Sequence, residues 1–330
     1  MEGVQDPVDQ ALLDNWQRDF PIMSRPFATL SQSLGIGELE VIERLHHHCS
    51  NGRISRVGAT CAPNTVSAST LAAVAAPEDR IEQVAAIIGA QPGVNHNYLR
   101  EHDWNLWFVA TGPDRAHVDQ TLEQIGQQSG LRVLDLRLVR PFNVDLGFSL
   151  RGSKPLHGRA EDVDISAFHP GDRLLLSALM RGLPLTPTPY RDLGLDLGLD
   201  EATVLARISA LTHAGIVSRL GVIVRHRALG WRVNAMVVWD MAPDRITRAG
   251  PILAAHLGVT LCYERRPVPG VWPYRLYTMI HVRSRAAALS TLTEICDLPE
   301  MRDVPHHPLF SVRCYKQTGA MVAAPEKETA

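Results

Sequence analysis

One unit is written twice in this 330-residue chain, and the repeat limits the fold more than any composition figure does. Ile54-Ser55-Arg56-Val57-Gly58 returns as Val217-Ser218-Arg219-Leu220-Gly221, and Phe20-Pro21 returns at the same offset as Leu183-Pro184. Val94-Asn95-His96-Asn97-Tyr98-Leu99-Arg100 is answered by Val259-Thr260-Leu261-Cys262-Tyr263-Glu264-Arg265. Trp104-Asn105-Leu106-Trp107 is answered by Tyr274-Arg275-Leu276-Tyr277, the offset growing only by small loop insertions. Such spacing means one structural unit used twice. Residues 151–172, rich in Gly, Pro and charge, read as a linker, and the polar or alanine-rich ends (roughly 1–10 and 320–330) read as loose.

The order of elements is legible inside each copy. In the second, Leu174–Met180 is a short helical run. Asp200 is a natural N-cap for a helix whose Val204, Ile208 and Leu211 share one face, and Gly215 stops it before a strand at Ile216–Val224. Three short helices and a strand hairpin predict a winged helix-turn-helix. Then follow a strand at Val233–Trp239, a helix at Arg245–His256 with Ile246 and Ile252–Leu253 inward, and a hairpin of Leu261–Arg265 with Tyr274–Val282. A helix at Ala286–Cys296 and a strand at Leu309–Tyr315 complete the copy. The first copy matches, with helices at Glu78–Ile88 and Ala116–Gln128. The expected fold class is α+β: two tandem units, each a winged helix-turn-helix followed by a ferredoxin-like βαββαβ sandwich. The boundaries are 12–59 and 60–150 in the first copy, 173–222 and 223–320 in the second. This order resembles the AsnC/Lrp regulator family over nearly all of both copies. The resemblance implies two sandwiches packed sheet against sheet, reproducing inside one chain the dimer that family makes between chains.

A regulator should neutralise phosphates and reach base edges with its recognition helix. Here Glu38–His48 carries three acids and one Arg, and Asp200–His213 two acids and one Arg, so both helices would be repelled by a duplex. The formal charge of −2 gives no global attraction to nucleic acid or to an anionic membrane either. No apolar run approaches the ~18 residues of a membrane span, and the acidic N-terminus lacks a secretory core. Five cysteines without a CxxC pair read as reduced thiols of a cytoplasmic protein, not as a disulfide frame or a zinc site.

Chemistry concentrates in the two sandwich hairpins, residues 93–109 and 258–282, which hold more Tyr, Arg, Trp and His than a stable sheet needs. The plain alternative is cross-strand pairing, worth ~0.2–1 kcal/mol a pair. That alternative weakens because Tyr98/Tyr263 and Arg100/Arg265 recur together while Glu101 stands against Arg266, His96 against Leu261 and Thr111 against His281. The adjacent runs His46-His47-His48 and His306-His307 read as solvated surface, since neighbours do not face one site as i, i+4 pairs do.

The motifs HNYLREH…WNLWF and CYERRP…WPYRLYTMIH resemble the D-type and L-type halves of the siroheme decarboxylase family, fused in one chain. The resemblance implies non-oxidative loss of carbon dioxide from the acetates on carbons 12 and 18 of siroheme, in the biosynthesis of d-type haem. Siroheme is a flat iron macrocycle bearing eight carboxylates, so Arg forks and aromatic faces suit it: Tyr98, Arg100, His102, Tyr263, Arg265, Arg266, Trp272 and Tyr274 are the expected binding residues. The carbon that loses its carboxylate must gain a proton, and His281 and His96 are the expected shuttles. No added cofactor is expected, the iron being the substrate's own. A homo-oligomer or related decarboxylase subunits are the expected partners, without DNA or membrane. The rival functions are an AsnC/Lrp-type transcriptional regulator and a non-catalytic tetrapyrrole-binding subunit.

Overall fold

A computed structural model describes residues 4–143 and 163–323. The first copy runs α1 (Pro7–Asn15), α2 (Pro26–Leu34), α3 (Glu38–Ser50), β1 (Ile54–Cys61), β2 (Ala68–Val74), α4 (Ile81–Ala90), β3 (Val94–Arg100), β4 (Leu106–Gly112), α5 (Arg115–Ser129), β5 (Val133–Leu136) and β6 (Leu138–Asn143). The second runs α6 (Asp172–Arg181), α7 (Pro189–Leu197), α8 (Glu201–His213), β7 (Val217–Val224), β8 (Val233–Trp239), α9 (Pro243–Ala255), β9 (Leu261–Arg265), β10 (Leu276–Val282), α10 (Arg285–Cys296) and β11 (His306–Gln317). Most of the expected linker, 151–162, lies outside the described residues. Its last part holds a short 3-10 turn at Ile165–Ala167 and runs into α6. The N-terminal segment is more ordered than expected: Val4 is buried, and Asp6 caps α1 by accepting from the Val8 amide at 2.7 Å.

The chain divides into two compact units that do not follow the copies. One unit contains both helix-turn-helix segments, residues 1–66 and 147–231. Among the described residues its expected strand hairpins are absent. β1 pairs instead with β7 of the other copy, antiparallel, with Gly58 opposite Gly221. The repeated motifs explain this exchange. Phe20 donates its amide to Leu220 O (3.2 Å) and Leu183 donates to Val57 O (2.7 Å), so each copy's strand carries the connection from the other copy. Glycine is required at the crossing, because a Cβ on Gly221 would lie 2.5 Å from Trp16 O and one on Gly58 2.4 Å from Leu179 O. The α8 face forms as expected, with Val204, Ile208 and Leu211 fully buried. His48 corrects the surface expectation for the first histidine run: it turns inward, buried, with Nε2 3.3 Å from the Asp9 carboxylate, because it lies on the face shared by Val41 and Leu45.

The other unit contains both sandwiches, residues 67–146 and 232–330. Strand order is β5-β2-β4-β3-β11-β8-β10-β9-β6. Each copy contributes a four-stranded sheet, and each closing strand is shared. His306–Phe310 of β11 pairs with β8, and the rest of β11 pairs with β3. Likewise β5 pairs with β2 of its own copy while β6 pairs with β9 of the other. Helices α4 and α5 cover one sheet face over Val84, Ile88, Leu122 and Ile125; α9 and α10 cover the other over Ile246, Leu253, Leu292 and Ile295. Ile252 faces out, unlike its neighbour Leu253, since successive helical residues are turned about 100° apart. The two uncovered faces share a third core of Leu71, Trp107, Leu134, Met236, Tyr263, Trp272, Tyr277 and Leu309, drawn from both copies. This is why VNAMVVW is apolar from Ala235 onward instead of alternating: Ala235, Val237 and Trp239 meet helices, while Met236 and Val238 meet the other sheet.

Candidate active site

The shared core ends in polar side chains. Asn234 of β8 is directly opposite His281 of β10, one register position out from Ala235 and Ile280. Alternation puts both on the face that carries Met236 and Met279 into the shared core. The neighbouring β11 brings β3 of the first copy alongside, and Arg100 reaches across it. Its Nη1 donates to Leu309 O at 2.9 Å and to Asn234 Oδ1 at 3.1 Å. Asn234 Nδ2 lies 2.7 Å from His281 Nε2, and His281 Nδ1 lies 2.6 Å from Thr260 Oγ1, which donates to Met279 O at 3.0 Å. A residue of the first copy is thereby hydrogen-bonded, through one amide, to the candidate proton shuttle of the second.

Burial controls the charges here. It pushes the His281 imidazole down to about 4, with the Arg100 charge adding to the effect. Burial also pushes the Arg100 guanidinium down to about 10, opposed by the Tyr263 and Tyr98 phenols. Arg265 is lowered by burial in the same way, opposed first by Tyr263 and then by Tyr277. Tyr263 thus acts on both arginines. Its ring stacks on Tyr277 at 5.7 Å and lies 4.6 Å below the Arg265 guanidinium, while Tyr98 lies 5.6 Å below Arg100. Arg265 Nη1 donates to Leu136 O at 2.8 Å. In both arginines the buried Nε has no hydrogen-bond partner among the described residues. A planar carboxylate is the partner such an edge fits.

The expected residues fall into three places. His96 stacks on Tyr98 (6.2 Å between centroids, 20° between planes), on the strand that ends at Arg100. His102, Trp272 and Tyr274 gather instead in an aromatic cluster: His102 meets Trp272 edge-on at 5.4 Å and His307 at 4.9 Å, and Tyr274 meets Trp272 at 4.8 Å. Trp272 is 1% exposed and donates its indole N–H to the Tyr277 hydroxyl at 2.8 Å. His102 accepts from the Trp104 amide at 2.9 Å, and burial, then His307, holds it below the ordinary imidazole range. Arg266 is exposed. Asn234 and Thr260 were not expected. The available signal for Asn234 was a lone amide in an otherwise apolar strand.

The copies differ at this point. Where the second has Asn234 opposite His281, the first has Ser69 opposite Thr111. Thr111 donates to Gly93 O at 2.9 Å, so that end of the shared face has no imidazole in the corresponding position.

Comparison with known proteins agrees with this architecture. The AsnC-like ligand binding domain matches residues 66–142 and 228–316, and the siroheme decarboxylase NirDL-like HTH domain matches residues 9–54 and 172–217. The siroheme decarboxylase NirDL subunit of Paracoccus denitrificans (strain Pd 1222) is 52% identical over 318 residues, covering 96% of this chain and 98% of that protein. The NirDL subunit of Paracoccus pantotrophus is 52% identical over 319 residues, with the same coverage of both chains. The crystal structure of a siroheme decarboxylase NirDL superposes with a TM-score of 0.69 at 24% identity, over 95% of this chain and 93% of that one, which shows a common fold. With most of the chain matched by the two domain models and nearly all of it by relatives 52% identical to it, the chain belongs to the siroheme decarboxylase NirDL family.

Proposed function

We propose that this chain is a siroheme decarboxylase, removing the acetate carboxylates on carbons 12 and 18 to give 12,18-didecarboxysiroheme on the route to haem d1. The observation that carries this is the pair Arg100 and Arg265: equivalent in the repeat, Arg100 buried and Arg265 half-buried, each with a buried Nε lacking a protein acceptor among the described residues. Two cations held that way suit a polycarboxylate macrocycle. Tyr98 and Tyr263 would line it, Arg266 would meet a peripheral carboxylate, and the His102, Trp272 and Tyr274 cluster would form a wall.

The chemistry needs no group beyond the substrate and these side chains. As the carbon–carboxylate bond breaks, the pyrrole accepts the electron pair, carbon dioxide leaves, and a proton converts the methylene to methyl. His281 is the proposed donor, with His96 the second candidate. A buried site favours a step in which the carboxylate charge is lost. The recognition-helix arginines support an enzyme rather than a regulator. Arg44 is held by Asp6 (2.9 Å), Asp9 (2.8 Å) and Glu40 (2.9 Å), and Arg207 by Asp172 (2.6 Å), leaving neither for phosphate.

No helix among the described residues is long and apolar enough to cross a membrane. We place the protein in the cytoplasm, as a homo-oligomer or with related decarboxylase subunits. Anaerobic incubation of the purified chain with siroheme, followed by mass spectrometry, tests the function. Successive loss of two carbon dioxide masses supports it. Binding without mass loss would leave a tetrapyrrole-binding subunit.

A further inference from the structure

The hydrogen bonds around His281 run in one direction, and chemistry fixes that direction. A guanidinium only donates, so the atom of Asn234 facing Arg100 is its oxygen. The Asn234 amino group must then face His281, and Nε2 can only accept. The ring proton sits on Nδ1 and is donated to Thr260, whose hydroxyl donates onward to Met279 O. In this state His281 is neutral and has no proton at Nε2. An imidazolium there would set N–H against N–H unless the Asn234 amide turned over, and a turned amide would set N–H against Arg100. The Arg100–Asn234 bond and a charged His281 are therefore mutually exclusive. Among the described residues, Arg100 on β3 is a charge that acts on His281, while β8 and the turn before β9 supply the neutral groups Asn234 and Thr260.

We propose that Asn234 is a rotatable gate on His281: a carboxylate arriving on Arg100 draws the guanidinium off the amide, the amide turns its oxygen to Nε2, and His281 takes up the proton that the decarboxylated carbon will need. This rests on the siroheme reading above. Arg100 is suited to the trigger, since its buried Nε has no protein acceptor among the described residues. The step that follows balances. The methylene–carboxylate bond breaks, carbon dioxide departs, and its bonding pair remains on the pyrrole–methylene system. The imidazolium proton closes that carbon as a methyl group, and solvent reprotonates the ring for the next acetate. Asn234 is a positioning residue here. The first copy, with Ser69 and Thr111 in the equivalent places, has no such gate.

The test is nitrogen NMR of histidine-labelled full-length protein, His281 being assigned with His281→Gln, and metal-free uroporphyrin III serving as a diamagnetic polycarboxylate probe. Without probe, His281 should show a protonated Nδ1 and an unprotonated Nε2 across the range where a free imidazole titrates. Saturating probe should raise its titration midpoint by a unit or more, a tenfold gain in proton affinity. Asn234→Ser, which copies the first half's residue, should raise the midpoint without probe and abolish the probe's effect. Asn234→Asp, able to accept from both neighbours, should do the same. A bound probe with an unmoved midpoint, or an Nε2–H tautomer in the free protein, would remove the gate and leave the substrate reading standing. Failure of uroporphyrin to bind the wild type would remove both.

Discussion

Arg100 and Arg265 occupy the same position in the two copies, and each donates through Nη1 to a closing strand of the other copy: Leu309 O of β11 at 2.9 Å and Leu136 O of β5 at 2.8 Å. The two anchors are alike, but the amide and imidazole beyond them are found only at Arg100.

Substrate anchoring should follow that geometry. Arg265→Ala should weaken siroheme binding by ~1.5–3 kcal/mol, the value of a charged hydrogen bond. Arg266→Ala, at an exposed position, should cost at most about 1 kcal/mol. Arg100→Ala should lose affinity and also stability, by about 1–3 kcal/mol, because Asn234 Oδ1 and Leu309 O lose their donor. Absorbance titrations and urea unfolding separate these effects. Unchanged affinity in both Arg100→Ala and Arg265→Ala would take the pair out of the site.

His281→Ala is expected to lower turnover by ~100-fold or more, the usual range for losing a general acid, with siroheme still bound. His96→Ala should fall in the same direction by less. Single-turnover release of carbon dioxide under anaerobic conditions is the measurement, and a wild-type rate in His281→Ala would place the proton donor elsewhere.

Stability should depend on pH through the same side chain. Folded His281 sits at about 4, against about 6.5 in an unfolded chain. Between those values the unfolded chain binds a proton that the folded chain does not, so stability falls as pH drops through this window and is recovered above it. The full difference corresponds to about 3 kcal/mol. His48 and His102 are lowered by burial too and act in the same sense. The informative comparison is therefore wild type with His281→Gln, by urea unfolding at pH 4.5 and 7. Parallel losses in the two proteins would mean that His281 contributes nothing to the pH dependence.

Duplex DNA should not be bound selectively. Both recognition helices are acidic and both their arginines are committed to carboxylates of this chain. A mobility shift at physiological salt is expected to show nothing. Nanomolar, sequence-selective binding would overturn the expectation.

Much of this was legible in the residues. The strand at Val233–Trp239 and the hairpin strand Leu261–Arg265 have the bounds their patterns imply, and the repeat singled out Arg100, Arg265 and the unmatched His281. What periodicity does not carry is the identity of a strand's partner. β1 and β7 have the composition of a wing strand whether they pair at home or across the repeat, and nothing in β11 announces that its second part belongs to β3. Asn234 was missed for the same reason. Its place beside His281 is marked by its bond to Arg100, more than a hundred positions away in sequence and across one intervening strand in space. His48 was misassigned because three consecutive histidines look alike on paper, whereas only one lies on the helix face that packs.

Strand exchange bears on what happens when such a chain is divided. Either half expressed alone would retain a closing strand with part of its ladder unpaired, an edge that invites association with another copy of itself. Two second halves would bring Arg265, instead of Arg100, to each Asn234; two first halves would bring an arginine to Ser69 and no imidazole. Only the mixed pair joins Arg100 to His281. Fusion into one polypeptide settles that stoichiometry at the ribosome, so every molecule that folds on itself begins with one half of each kind.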